Sequence, residues 1–323
     1  MKPIDSNTTF TLLSKYRMEL MGFSALLIIL YHLHVWQLVP EYTKYILRFT
    51  SGGVDMFLFL SGIGLCYSIE KNSSISNFYS KRFIRIYPSF AIVTAIGLFI
   101  GEKTIASMIL LFTGMTYWFA PFMNVDEGFW YVSLIILLYI LFPHLYRILK
   151  HTTINHCIYM LVVVFALPYI VHFLWGNYYD YGLTRITPFL LGAFLYVKRR
   201  KWKVYMSNLL IYSSLVIFVT LNTYSLLSEG GNIDKTMIQL SLQGIIAPGF
   251  CLIFVLVLSH CSTVILCCLH WLGTMSLELY MVHLTLYYWI KSPLLLLGIS
   301  ITVSYIIHFI SGLILKCLHS FRD

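Results

Sequence analysis

The sequence predicts an all-α, polytopic bundle of about ten transmembrane helices, with both termini on the cytoplasmic side. Composition is the first reason: 59% of the 323 residues are hydrophobic and 11% are charged, with a mean hydropathy of +0.80. A soluble domain carries about a quarter charged residues. The second reason is a succession of charge-free windows of about 20 residues, the length that crosses the hydrocarbon core as a helix. The third is where the cations fall between those windows.

Spans are expected near 20–38, 54–70, 86–101, 129–149, 157–175, 183–198, 207–227, 236–258, 270–290 and 293–316. The segment 104–120 is an eleventh candidate, and treating it as an interfacial or re-entrant piece keeps the run Lys198–Lys203 (KRRKWK) inside. Sixteen of the 22 Lys and Arg then lie on the inner side or at its edge. Six lie outside: Lys44, Arg48, Lys103, Arg185, Lys235 and Lys291. That asymmetry obeys the positive-inside rule. It also accounts for the net charge of +9 without a nucleic-acid partner. Residues 1–19 are expected to be a cytoplasmic segment, with neither a cleavable signal peptide nor a separate soluble domain. The seven cysteines read as buried small hydrophobes or inner-face thiols, without metal-site spacing. Six of the seven Trp fall near the ends of apolar segments, as an interfacial belt requires, and Trp202 sits in the basic loop.

Polar groups at depth are expensive in a bilayer and are therefore the functional candidates. In the first span, Met21–His32 reads MGFSALLIILYH and carries a histidine slightly outside mid-membrane. A neutral imidazole, with a pKa of about 6.5, accepts a proton at neutral pH, so His32 is a candidate general base. A satisfied structural histidine is the alternative. Asp55 follows Ser51–Gly53 at the outer start of the second span. There it either complements a helix N-terminus or faces His32 and orients its ring. In the ninth span, Ser276, Tyr280, His283 and Tyr287 recur at i, i+4, i+7 and i+11, one helical stripe that lines a cavity or a helix interface. Glu278 lies on another face and needs a partner or a proton. Between spans two and three, SKRFIRIYP places Arg82 and Arg85 one turn apart if helical. They serve either as a lipid-facing anchor or as a bidentate phosphate clamp.

These residues carry a resemblance. LLIILYH ending at His32, SGGVDMFLFLSG at 51–62, KRFIRIYP at 81–88, WYVSLIILLYILFP at 130–143, RITPFLLG at 185–192 and LGTMSLELYMVH at 272–283 occur in the order seen in the membrane-bound acyltransferase-3 family. The matches span residues 17–290. The chain departs from the family pattern at Met21, where an arginine is common; Arg17 lies one turn earlier. Ile135 stands where one branch has a glutamate.

The resemblance implies an O-acyltransferase that takes an acyl group, most simply acetyl, from cytosolic acetyl-CoA. The acceptor would be a hydroxyl of a cell-surface or lipid-linked glycan. It places the essential histidine at His32, with Asp55 its orienting partner. Arg82, Arg85 and Arg17 would hold the donor phosphates. Ser276, Tyr280, His283, Glu278 and Trp130 would line the acceptor site or cavity, although Trp130 also suits interfacial anchoring. No metal or bound cofactor is implied, the location is the bacterial inner membrane, and direct transfer and an acyl-enzyme relay both remain open. Two other classes compete: a proton-coupled transporter using the buried His and Glu, and a non-catalytic export partner. Within the family, a small-metabolite acceptor is the alternative. Neither an inverted repeat nor paired interrupted spans stand out, which counts against the transporter.

Overall fold

A computed structural model describes residues 6–98, 105–123, 129–201, 206–227 and 233–320. Lys103, Trp202 and Lys203 fall outside them. Every regular element among the described residues is helical: α1 (Ser6–Lys15), α2 (Arg17–Val35), α3 (Lys44–Leu47), α4 (Gly52–Lys71), α5 (Ile75–Leu98), α6 (Ile105–Thr113), α7 (Thr116–Met123), α8 (Trp130–His151), α9 (Ile154–Trp175), α10 (Asp180–Thr184), α11 (Ile186–Val197), α12 (Met206–Leu227), α13 (Ile233–Leu258), α14 (Thr263–Thr274), α15 (Ser276–Leu286) and α16 (Pro293–Ser320), with short 3-10 turns between some of them. The helical outcome follows from the solvent. A bilayer core offers no water to a peptide group, so each segment has to satisfy its own backbone.

All ten predicted spans coincide with helix. Six described helices are long and apolar enough to cross a membrane unaided, and a seventh is obtained if α14 and α15 count as one span bent by 71°. The others coincide with helices that are shorter, more charged or described only in part. The eleventh candidate resolves into α6 and α7, which meet at Gly114 with φ of +70°. At 1.5 Å per residue neither piece reaches across about 30 Å of hydrocarbon.

Helix α5 begins well before its predicted span, so SKRFIRIYP is continuous helix despite Pro88. Its basic half reads as a loop by hydropathy, but it carries the helix out of the apolar layer. The N-terminal segment is likewise helical. It is tied down by Phe10, edge-on to Tyr196, and by a hydroxyl contact of 2.8 Å between Thr9 and Ser207.

Helices α2, α4, α11 and α13 pack about one centre, and α14 and α15 close it against α2, α5 and α16. The perimeter is apolar. In α9 only 11% of the spanning window is buried, and Phe173 and Leu294 are 87% and 81% exposed. Such surface requires lipid. Small residues bring the central helices together. A Cβ on Gly22 would overlap the Leu269 carbonyl, and one on Gly273 would overlap the Met18 carbonyl, so α2 and α14 cross backbone to backbone. Gly62 and Gly192 do the same for α4 and α11.

Arg185, at the start of the span predicted over 183–198, is 2% exposed inside the bundle, where it donates to the Leu240 carbonyl at 3.2 Å.

Candidate functional site

Helix α2 begins at Arg17 and carries His32 in its last turn. Helix α15 carries His283 in its own last turn. The packing of α15 on α2 brings the two imidazoles together: His283 Nε2 lies 3.0 Å from His32 Nδ1. Each ring also meets a helix carbonyl one turn back, His32 Nδ1 to Ile28 O at 2.9 Å and His283 Nδ1 to Leu279 O at 2.7 Å.

Carbonyls only accept, and that fixes the protons. His283 Nδ1 carries hydrogen, so in the neutral ring its Nε2 is a lone pair. His32 Nδ1 then faces two acceptors and must carry hydrogen as well. The His32 Nε2 is left as a lone pair, with no hydrogen bond to any described residue. Trp36 stacks on the His32 ring with centroids 5.0 Å apart, and on Tyr287 at 3.8 Å. The Tyr280 ring lies 6.0 Å from His283, and Tyr131 lies 5.2 Å from Tyr280. The stripe read from span nine thus faces one place, and Trp36, Tyr131 and Tyr139 complete it without having been singled out.

Below the histidines a cavity of about 40 Å³ is lined by Arg17, Arg85, Tyr131, Tyr139, Ser276 and Tyr280, among others. It has room for a few water molecules. Met21 lines the same cavity as Arg17, one turn apart on α2. Arg17 and Arg85 also line a wider cavity of about 380 Å³ with Lys71, Lys81 and Arg82. Arg82 packs over Phe78 and Tyr139, at 5.4 and 5.8 Å. None of the three arginines has a carboxylate within ion-pair distance among the described residues, and Arg17 Nε is buried without an acceptor.

Two expected placements are corrected. Asp55 does not contact His32. It is fully buried and pairs with Arg185 at 3.2 Å, joining α4 to the segment that enters α11. An isolated carboxylate cannot be left in an apolar interior, and the arginine already beside it on the packed α4–α11 face supplies the charge. Trp130 is not among the cavity-lining residues. It packs on Tyr117 and Tyr131, so it touches the site only through Tyr131.

Glu278 finds partners that the sequence did not name. Ser89 donates to it at 2.7 Å, His308 Nδ1 lies 3.1 Å from the same oxygen, and Ser311 joins through Ser89. A polar residue inside each of α5 and α16 was the available signal. Among the described residues no group of three His, Cys, Asp or Glu side chains converges to hold a metal ion.

The family model described as an acyltransferase domain matches residues 20–320. A relative, ORF330 of Acidianus two-tailed virus, provisionally named an acetyltransferase, is 30% identical over 138 residues. That stretch covers 40% of this chain, and the chain spans 40% of the relative's length. No solved structure matches. With nearly the whole helical bundle inside one family model, the chain belongs to the acyltransferase-3 family.

Proposed function

We propose that the protein moves an acetyl or similar short acyl group from cytosolic acyl-CoA to a hydroxyl of a cell-surface or lipid-linked glycan, in the bacterial inner membrane. The observation that carries this reading is the proton arrangement at His32, which leaves Nε2 as a lone pair with no hydrogen bond to any described residue.

The donor enters at the basic end. Its phosphates stay with Arg82, Arg85 and Arg17 because charge cannot enter hydrocarbon unpaired. Its arm points from there toward the narrow cavity at Tyr280, which has to widen beyond about 40 Å³ to admit it. The acceptor hydroxyl loses its proton to His32 Nε2 as its oxygen bonds to the thioester carbonyl carbon. His32 Nδ1–H, shared between Ile28 O and His283 Nε2, steadies the imidazolium that forms. The Tyr280 hydroxyl is the group placed to meet the developing oxyanion. The C–S bond then breaks, and CoA leaves as thiolate to be reprotonated from His32. The stacked pair Trp36–Tyr287 offers the glycan an apolar face next to the base.

The test compares the wild type with His32→Ala at equal membrane abundance, following acetyl signals on the surface polysaccharide by proton NMR. A general base contributes about 10²–10⁴-fold, so the signals should vanish in the variant. Acetylation that persists undiminished would make His32 structural.

A further inference from the structure

A third cavity lies beside the basic one. It has about 220 Å³ and sits across the α4–α5 turn. Phe78, Pro143 and Tyr146 form its floor, all buried. Arg147, Lys150 and His151, all exposed, stand at its rim. The aromatic floor is firm: Phe142 packs behind both Phe78 and Tyr146, at 6.0 and 6.4 Å. Neither Arg147 nor Lys150 pairs with a carboxylate among the described residues. The carboxylate close by, Glu70, accepts from Tyr146 at 3.4 Å but is already neutralised by Arg199 at 2.9 Å. The cavity therefore joins an apolar aromatic surface to uncompensated positive charge.

The three cavities also form a series. The narrow one and the basic one share Arg17 and Arg85. The basic one meets the third where Arg82 lies over Phe78. Moving outward from Tyr280, the lining runs from narrow with tyrosines and two arginines, to wider and strongly cationic, to aromatic with a cationic rim. An acyl-CoA runs in the same order: thioester and pantetheine arm, diphosphate, then an adenine-bearing ribose with its 3′-phosphate.

Resting on the donor reading above, we propose that this third cavity takes the adenosine 3′-phosphate end of the donor, with Arg147 and Lys150 on the phosphate and the base against Phe78 and Tyr146. The aromatic contribution is stacking, which tolerates any base. The phosphate contribution is charge-assisted hydrogen bonding. Pocket and clamp would then set the preference for CoA thioesters over those of shorter carriers.

The test measures equilibrium binding of CoA and 3′-dephospho-CoA to the full chain in lipid nanodiscs, for the wild type, the double variant Arg147→Ala/Lys150→Ala, and Arg82→Ala. Both rim residues are exposed, so the double variant leaves the bundle intact. The wild type should prefer CoA by about tenfold or more, as a charged hydrogen bond requires. The double variant should lose that preference. Arg82→Ala should weaken both ligands and keep it. A preference that survives in the double variant, or that the wild type lacks, overturns the assignment and leaves the donor reading standing. Failure of the wild type to bind either ligand overturns both. Discs of neutral lipid and discs containing phosphatidylglycerol are run in parallel. A double-variant defect confined to the anionic discs would assign the two cations to a lipid headgroup and overturn the proposal.

Discussion

Two buried polar pairs sit in the same apolar bundle and differ in one respect. Asp55 and Arg185 bring opposite charges together on the α4–α11 side, and the Leu240 carbonyl takes a further guanidinium hydrogen. His32 and His283 bring two neutral rings together on the α2–α15 side and end in a nitrogen that nothing occupies. Both violate the rule that hydrocarbon excludes polar groups. The first balances its charge within the fold, although Asp55 Oδ1 and Oδ2 and Arg185 Nε make no hydrogen bond there. The second leaves one neutral acceptor for a molecule that is not part of the protein. Neither depth nor an unfilled valence alone separates the two pairs; the neutral lone pair does.

The largest effect that tests this contrast is structural. Asp55→Ala leaves Arg185 buried without a counter-charge, a loss of about 3–5 kcal/mol. Membrane abundance and the thermal midpoint in detergent should fall sharply, and adding Arg185→Leu should recover most of the loss. A variant as stable as wild type but inactive would put Asp55 in the chemistry and break the comparison.

A smaller effect is expected at His283, read in turnover rather than stability. His283→Ala removes one acceptor from His32 Nδ1–H, worth about 1–3 kcal/mol or roughly 5–150-fold in kcat. KM for acyl-CoA should hold, because the donor contacts are elsewhere. His283→Gln, whose side-chain oxygen still accepts, should regain part of the rate; a shift in KM instead would move His283 to the donor site.

The smallest effect concerns Glu278, whose oxygen accepts from Ser89 beside His308. Glu278→Gln keeps an acceptor there, so stability should change by only about 0.5–1.5 kcal/mol and transfer should continue. Abolished transfer at normal stability would add Glu278 to the reactive set.

Much of this was legible along the chain. Hydropathy located all ten helical regions because each must satisfy its backbone alone. The i, i+4, i+7 spacing set Ser276, Tyr280 and His283 on one face because helical period needs no partner to define it. What failed was everything that depends on a second segment. Asp55 suggested either its own helix N-terminus or His32, and only the packing of α4 on α11 shows Arg185 as its partner. Arg185 itself stands at the edge of an apolar run, where a loop anchor and a buried counter-ion look alike. His308 is a lone imidazole in α16 until α5 and α15 close on it. The bend at Met275 follows Gly273, whose missing side chain answers to Met18 rather than to its own helix.

That last contact has a consequence for how the protein can change. Where α2 crosses α14 there is no side chain to swap, only peptide against peptide at Gly22 and Gly273. The spacing between α2 and α14, the helix that leads into the His283-bearing α15, is therefore set by the thickness of the main chain. Residues around the cavity rims can be exchanged while that crossing stays the same.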